Sequence, residues 1–496
     1  MTSDSKSILA IDQGTTSSRA IIFSQSGTLL AQQNQEFEQL FPADGWVEHR
    51  PEDIWNTTLA MSRAMMTRAD EMGCPPMAIG ITNQRETVVI WDRKTGEAIH
   101  NAIVWQDRRT AAICEDLTAQ GHLETVTSAS GLLLDPYFSA TKVAYILDHV
   151  EGARAKAEAG DLCFGTIDSF LIWRLTGGKH HLTDATNASR TNLYNIEQGC
   201  WDETLCRLFN VPMAILPEVR DCASHFGDSE ASLLGRSLPI LGVAGDQQAA
   251  TIGQACFAPG DIKSTYGTGC FMLANTGTKR LHSQHKLLST IAYRVNGETT
   301  FGLEGSIFIS GAIIQWLRDG LQILDHAKDS EAMASSLHSN EGVYMVPALT
   351  GLGAPHWDAH SRGAIYGITR DTGPAHFARA ALESVAYQTF DLLKAVEGDG
   401  MAVSGVKVDG GMVANNWLMQ FMSDILGQRV DRPVVAETTA LGVAMLAMLQ
   451  DGQAANLTDL AKMWQLDASF SPQMDEAHKA TLLAGWHNAI GRTLTA

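Results

Sequence analysis

The sequence predicts an α/β protein whose two halves repeat one architecture, and three observations carry that reading. Short apolar runs alternate with helical stretches along the chain. An apolar run, a Gly/Thr tip and a second apolar run open the first half at Ile8, and the same pattern returns at Asp261. Further apolar strands run into an acid or a glycine pair, at Gly245-Asp246 and at Asp409-Gly410-Gly411.

The elements follow in order. Residues 8–11 (ILAI) and 20–23 (AIIF) flank the turn Gln13-Gly14-Thr15-Thr16 and read as a β-hairpin. Residues 51 to about 72 read as a helix, with Pro51 near its start and Glu52 and Asp53 in the first turn. Residues 78–81 lead as a strand into Thr82-Asn83-Gln84-Arg85-Glu86, and residues 88–91 form another before a turn at 92–96. The strand 240–244 ends at Asp246, which opens a helix. Residues 261–266, the tip Gly267-Thr268-Gly269 and residues 270–273 make the second hairpin. The longest apolar run, 440–449, is half a bilayer span and reads as a buried helix.

At ~150 residues per domain, 496 residues fit two to four domains. The paired hairpins favour two, residues 1–252 and 253–496, each around its own core, although no Pro- or Ser-rich linker marks a division near Gly253. Hydrophobic residues at 45% and charged residues at 18% exclude a largely disordered chain. A net charge of −19 argues against nucleic-acid and anionic-membrane partners, while leaving room for a local phosphate site. The apolar run behind the N-terminus is too short for a secretory signal, and eight scattered cysteines form no CxxC pair. These features predict a soluble, reducing, cytoplasmic setting.

Several motifs carry chemistry beside a plainer reading. At the first tip, Gly14 permits close backbone approach, and the hydroxyls of Thr15, Thr16 and Ser17 with free N–H groups can cradle phosphate. Asp12 at the strand end suits Mg²⁺ held through water; a polar turn with a solvated acid explains the same residues. Gly267-Thr268-Gly269 is weaker alone, but two tips suggest loops closing on one nucleotide. Asp246 fits either a helix N-cap or the base that takes a hydroxyl proton in phosphoryl transfer. Arg85 beside Glu86 is a surface ion pair or a donor–acceptor pair for a polyol, with Trp105 and Phe271 as an apolar wall. Gly311 with Gln315, and Gly411 with Asn415, stand four apart, so each pair shares a helix face. They fit a base or ribose site, or ordinary helix packing.

Taken together these stretches resemble the FGGY family of carbohydrate kinases, on the actin-like, ribonuclease-H-like ATPase fold. The likeness runs from Ile8 to about Met448, through DQGTTSSRA, TNQRET, VWQDRRT, YFSATK, TDATNASRT, AGDQQAA, STYGTGCFML, QWLRD, GLGAPHWD and VDGG followed by ANN. TNQRET is the most discriminating, and it is similar to the glycerol-phosphorylating members. The resemblance implies two duplicated domains flanking a cleft, with ATP, Mg²⁺ and glycerol as ligands. It places glycerol on Arg85, Glu86, Tyr137, Asp246 and Gln247, against Trp105 and Phe271. It places the nucleotide phosphates on Thr15, Thr16, Ser17, Arg19 and Thr268, and the rest of the nucleotide on Gly311, Gln315, Gly411 and Asn415. Asp12 and Asp246 serve the metal, Asp246 is the base, and a homodimer or homotetramer is expected. The chain departs from the family at Tyr145, where the first signature usually has Trp. It departs again at residues 229–239, where the enterobacterial members carry a fructose 1,6-bisphosphate loop, and from residue 469 onward, where they dock a regulatory protein. Neither control is carried over to this chain.

Overall fold

The computed structural model describes residues 6–358 and 360–495. The elements that position the site are β1 (Ser7–Gln13), β2 (Ser17–Ser24), β3 (Leu29–Glu36), α1 (Pro51–Glu71), β4 (Pro76–Asn83), β5 (Ile240–Gly245) and α2 (Asp246–Gly253). In the second half come β6 (Ile262–Tyr266), β7 (Cys270–Gly277), β8 (Leu288–Val295), β9 (Glu298–Ile307), α3 (Gly311–Asp319), β10 (Val406–Asp409), α4 (Asn416–Leu426), β11 (Val430–Pro433), α5 (Thr438–Gln450) and β12 (Leu466–Phe470).

The first sheet has the order β5-β4-β1-β2-β3. β1 pairs antiparallel with β2 and parallel with β4, and β4 pairs parallel with β5. The second sheet, β8-β9-β7-β6-β10-β11-β12, repeats that logic. There β6 pairs antiparallel with β7 and parallel with β10, and β10 pairs parallel with β11. One extra strand sits at each edge, β8 and β12. This is the duplicated actin-like architecture that the resemblance implied, and both hairpins fall where the Gly/Thr tips put them.

Local chemistry explains the individual elements. β1 reads as a continuous apolar run because both its faces are covered, Leu9 and Ile11 clustering with α1 and Ile8 and Ala10 with α5. α1 begins at Pro51, whose missing N–H would be unpaired in a first turn anyway, and ends just before Gly73 at φ +70°. It buries Ile54, Trp55, Met61 and Met65 against the first sheet.

The apolar run 440–449 lies within α5 and is buried, as expected, but its surroundings change the picture of two separate cores. α5 belongs to the second half and lies on the first sheet. Gly80 and Gly242 leave room for it: a Cβ at either would stand 2.5 Å from the Val443 carbonyl oxygen. α5 also packs on α2, with a Cβ at Gly442 falling 1.8 Å from Ala249 O and one at Gly253 falling 1.9 Å from Thr438 O. A third apolar cluster therefore draws on both halves, from Ile8, Ala10 and Phe23 to Leu441, Val443 and Met445.

One expectation is corrected. Gly411 and Asn415 do not share a helix face. Residues Gly411–Ala414 form a single 3-10 turn, and Asn415 is the N-cap of α4, its Oδ1 accepting from Leu418 N at 2.8 Å. The break starts at Gly410, held at φ +93° hard against Tyr266 O, where the chain must turn out of β10. Among the described residues no helix is long and apolar enough to cross a membrane.

Candidate active site

The site begins at the C-terminal ends of β1, β4 and β5. Gln84 N donates to Gln13 O at 2.7 Å, and Gln84 Nε2 donates to Gln13 Oε1 and Gly14 O, so the segment after β4 is bolted to the first tip. Glu86 then adopts φ +62°, a left-handed conformation rare for a residue with a long side chain. Ser139 Oγ donates to its carbonyl at 3.0 Å and helps hold that turn. Such strain persists where surrounding structure fixes it, and it concentrates at functional sites.

Around this turn the expected acceptor residues come together. Arg85 Nε lies 3.1 Å from Asp246 Oδ1, and Arg85 Nη2 donates to Tyr137 Oη at 3.4 Å. Asp246 is the first residue of α2 and not its cap, a place that Gly245 takes; Asp246 Oδ1 accepts from Gln247 N at 2.7 Å. The rings of Trp105 and Tyr137 meet edge to face at 5.6 Å, and those of Trp105 and Phe271 at 6.2 Å. The last contact crosses from the first half to the second. Trp105 Nε1 donates to Thr15 Oγ1 at 2.9 Å, tying these rings to the first hairpin tip.

Each of these side chains has its own anchor. The Trp105 loop is fixed by Asp107, whose carboxylate accepts from Val47 N, Arg109 N and the Arg109 guanidinium. The Tyr137 loop is fixed by buried Lys142, whose Nζ donates to Pro136 O and Tyr137 O. Tyr145 packs edge-on against Trp46 and stacks on His149 at 3.9 Å, an aromatic contact that tolerates Tyr for Trp.

The residues expected to hold the nucleotide are less tightly joined. Thr268 O accepts from Ser310 N and Ala312 N, and Gly267 O accepts from Gly311 N at 2.9 Å, so α3 starts on the second tip. Gly311 owes its identity to that contact, because a Cβ there would stand 2.6 Å from Gly267 O. Gly411 has open space around it, and its neighbour Met412 meets Ser310 Oγ through sulfur. Gln315 is exposed one turn along α3, and Asn415 is engaged as a helix cap. In the first tip Thr16 is exposed, and Gly14 N donates to Ser17 O at 2.9 Å. Arg19 is ion-paired with Glu437, the residue before α5, so its cation is already matched across the two halves. Desolvation behind the tip pushes the Asp12 carboxyl up to about 6, opposed by Arg19 and reinforced by Glu437 and Asp246.

Residue-by-residue reading missed four of the groups that hold this arrangement. Glu304, Arg190, Lys263 and Glu437 each touch an expected site residue. A sequence signal existed for three. Arg190 lies inside TDATNASRT, Lys263 stands just before STYGTGCFML, and Glu304 is an acid set among Phe301, Leu303 and Ile307 in its strand. Burial would raise the Glu304 carboxyl, but Arg190 and Arg85 outweigh it and hold it at about 2.

Two Gly/Thr hairpin tips beside a cluster of acid, arginine and aromatic side chains fit a carbohydrate-kinase class of protein. The chain belongs to the FGGY family of carbohydrate kinases: the family's N-terminal domain matches residues 7–253 and its C-terminal domain matches residues 262–450. It is 60% identical to a glycerol kinase of Rhodospirillum centenum over 98% of both chains, and 58% identical to glycerol kinase 1 of Pseudomonas aeruginosa over 98% of both. Its structure is similar to that of Plasmodium falciparum glycerol kinase with ADP, with a TM-score of 0.93 and 34% identity over 99% of each chain.

Proposed function

We propose that the chain transfers the γ-phosphoryl group of ATP to glycerol, giving sn-glycerol 3-phosphate and ADP. The observation that carries this reading is the cluster in which Arg85 reaches Asp246 and Tyr137 while the Trp105 ring meets those of Tyr137 and Phe271. A small polyol has hydroxyls that both donate and accept and a carbon chain that prefers rings. Near-full-length likeness to glycerol kinases supports the same acceptor.

In this reading Asp246 takes the proton of the attacking hydroxyl. Both of its protein contacts, Arg85 Nε and Gln247 N, fall on Oδ1. Among the described residues Oδ2 has no protein partner and remains available as the acceptor. General-base help of this kind is worth about 10²–10⁴ in rate. Most of the remaining acceleration comes from alignment, because phosphoryl transfer leaves little covalent work for the protein. Thr15, Thr16, Ser17, Arg19 and Thr268 hold the phosphates, with Gly311, Gln315, Gly411 and Asn415 on the adenosine side. Glycerol-driven closure of the halves excludes water, a smaller competing acceptor.

Asp12 and Asp246 are the residues that would hold Mg²⁺. A desolvated Asp12 carboxyl suits a hard cation, and among the described residues no three His, Cys, Asp or Glu groups gather to hold a metal by themselves. That donor set fits Mg²⁺, which keeps several waters and takes one or two carboxylates plus substrate phosphates. When bound, the ion neutralises phosphate charge. A cytoplasmic homodimer or homotetramer completes the reading, with light scattering as its check.

The test is an ADP-release assay with a panel of polyols and sugars. Glycerol is expected to give the highest kcat/KM. A faster sugar, or ADP release that ignores the acceptor, overturns the assignment.

A further inference from the structure

Glu304 sits in the middle of β9, on the half of the molecule opposite Arg85 and Glu86, and it is fully buried. An acid there is costly unless its oxygens are paired. They are paired twice. Arg85 donates through Nη1 at 2.5 Å and Nη2 at 3.2 Å, and Arg190 donates to the same carboxylate through Nη2 at 2.7 Å. Arg190 also reaches Glu86 Oε1 through Nε at 2.7 Å. Arg85, Glu86, Arg190 and Glu304 thus form a ring of alternating charge, with all four side chains at most 2% exposed. Phe138 covers Arg190, its ring centre 5.4 Å from the guanidinium carbon.

The ring constrains the acceptor groups. Glu304 grips the two-nitrogen edge of the Arg85 guanidinium, which leaves Nε to face Asp246. Arg190 holds the carboxylate of Glu86, whose backbone is already in its strained left-handed turn. Lys263, also buried and from β6 of the second half, does the equivalent for Gln247: its Nζ donates to Gln247 Oε1 and to Phe271 O. The second half therefore fixes acceptor-site side chains that the first half supplies.

We infer that Glu304 and Arg190 are positioning residues for the acceptor, setting Arg85 and Glu86 through a buried ionic ring that joins the two halves. The inference rests on the acceptor site proposed above. Neither residue belongs to the acceptor-contact set; each acts through a neighbour that does. Their loss weakens glycerol binding in ground and transition states alike, so it registers in KM more than in kcat.

The experiment compares wild type with Glu304→Gln and Arg190→Lys, with folded fraction checked by circular dichroism. Glu304→Gln keeps the shape and removes the charge. Arg190→Lys keeps the charge but not the fork that spans both acids. The KM for glycerol is expected to rise about ten-fold or more in each variant, with the KM for ATP within about two-fold of wild type. An unchanged glycerol KM in folded protein, or equal rises in both KM values, overturns the inference. If Glu304→Gln does not fold, Arg190→Lys decides by the same criteria. A wild-type protein that phosphorylates no glycerol defeats the acceptor reading instead, and that result is in hand before either variant is assayed.

Discussion

Arg85 Nε stands 3.1 Å from Asp246 Oδ1, joining the strained turn after β4 to the first residue of α2. Because Gln247 N takes the same oxygen, the carboxylate is held by one edge and presents the other. Arg85 is itself locked from behind by Glu304. Asp246 is therefore linked, through Arg85, to a side chain of the other half of the protein.

Arg19 and Glu437 form a partly exposed ion pair across the halves, beside the first hairpin tip. In the proposed reading, nucleotide phosphates compete with Glu437 for that cation. Glu437→Gln is expected to lower the KM for ATP by about two- to five-fold, the scale of a partly exposed pair, with glycerol KM unchanged. Initial-rate kinetics with ATP varied at saturating glycerol checks this; a raised ATP KM contradicts it.

Two glycines should respond oppositely to alanine. At Gly442 a Cβ lands 1.8 Å from Ala249 O, so α5 and α2 must separate; a loss of about 3 kcal/mol is expected. At Gly491, in the C-terminal helix Glu476–Thr493, the added methyl meets nothing within 4 Å. There a gain of about 0.5–1 kcal/mol follows from helix propensity. Denaturant midpoints of the two variants against wild type give both signs.

Stability should carry a pH signature from Asp168, which lies outside the site. Burial pushes its carboxyl up to about 7, with Asp184 adding to the shift and Thr166 and Thr183 opposing it. The folded state then binds more protons than the unfolded state between about pH 4 and pH 7, so this contribution is lost as pH rises through that window. Asp168→Asn has no such loss. Its thermal midpoint should pull ahead of wild type from pH 5 to pH 7 and hold a constant lead above; a lead independent of pH would refute the assignment.

Much of this was legible in the sequence, for identifiable reasons. Gly14 and Gly267 mark hairpin tips because turns favour glycine, although a Cβ at either would meet nothing closer than 3.4 Å, and Pro51 with Glu52 and Asp53 announces α1 because helix starts favour that chemistry. Arg85, Glu86 and Asp246 stood out as acceptor candidates because TNQRET and GDQQ place polar groups directly after apolar strands, while Tyr137 and Gln247 came only with the family resemblance. The support behind it was not. Glu304 and Lys263 look like stray charges in strands until the halves are brought together, since their partners lie 219 and 16 residues away. The apolar run of α5 announced burial but could not say that it covers the opposite half's sheet. Gly411 and Asn415 have helical spacing, yet Gly410 breaks the chain between strand and helix.

The central claim is that Asp246 serves as the base for phosphoryl transfer to glycerol, and Asp246→Asn tests it most directly. The variant should bind glycerol within a few-fold of wild type by titration calorimetry. Its kcat in the ADP-release assay should fall by about 10²–10⁴. Turnover near the wild-type rate, with glycerol binding intact, would contradict the account.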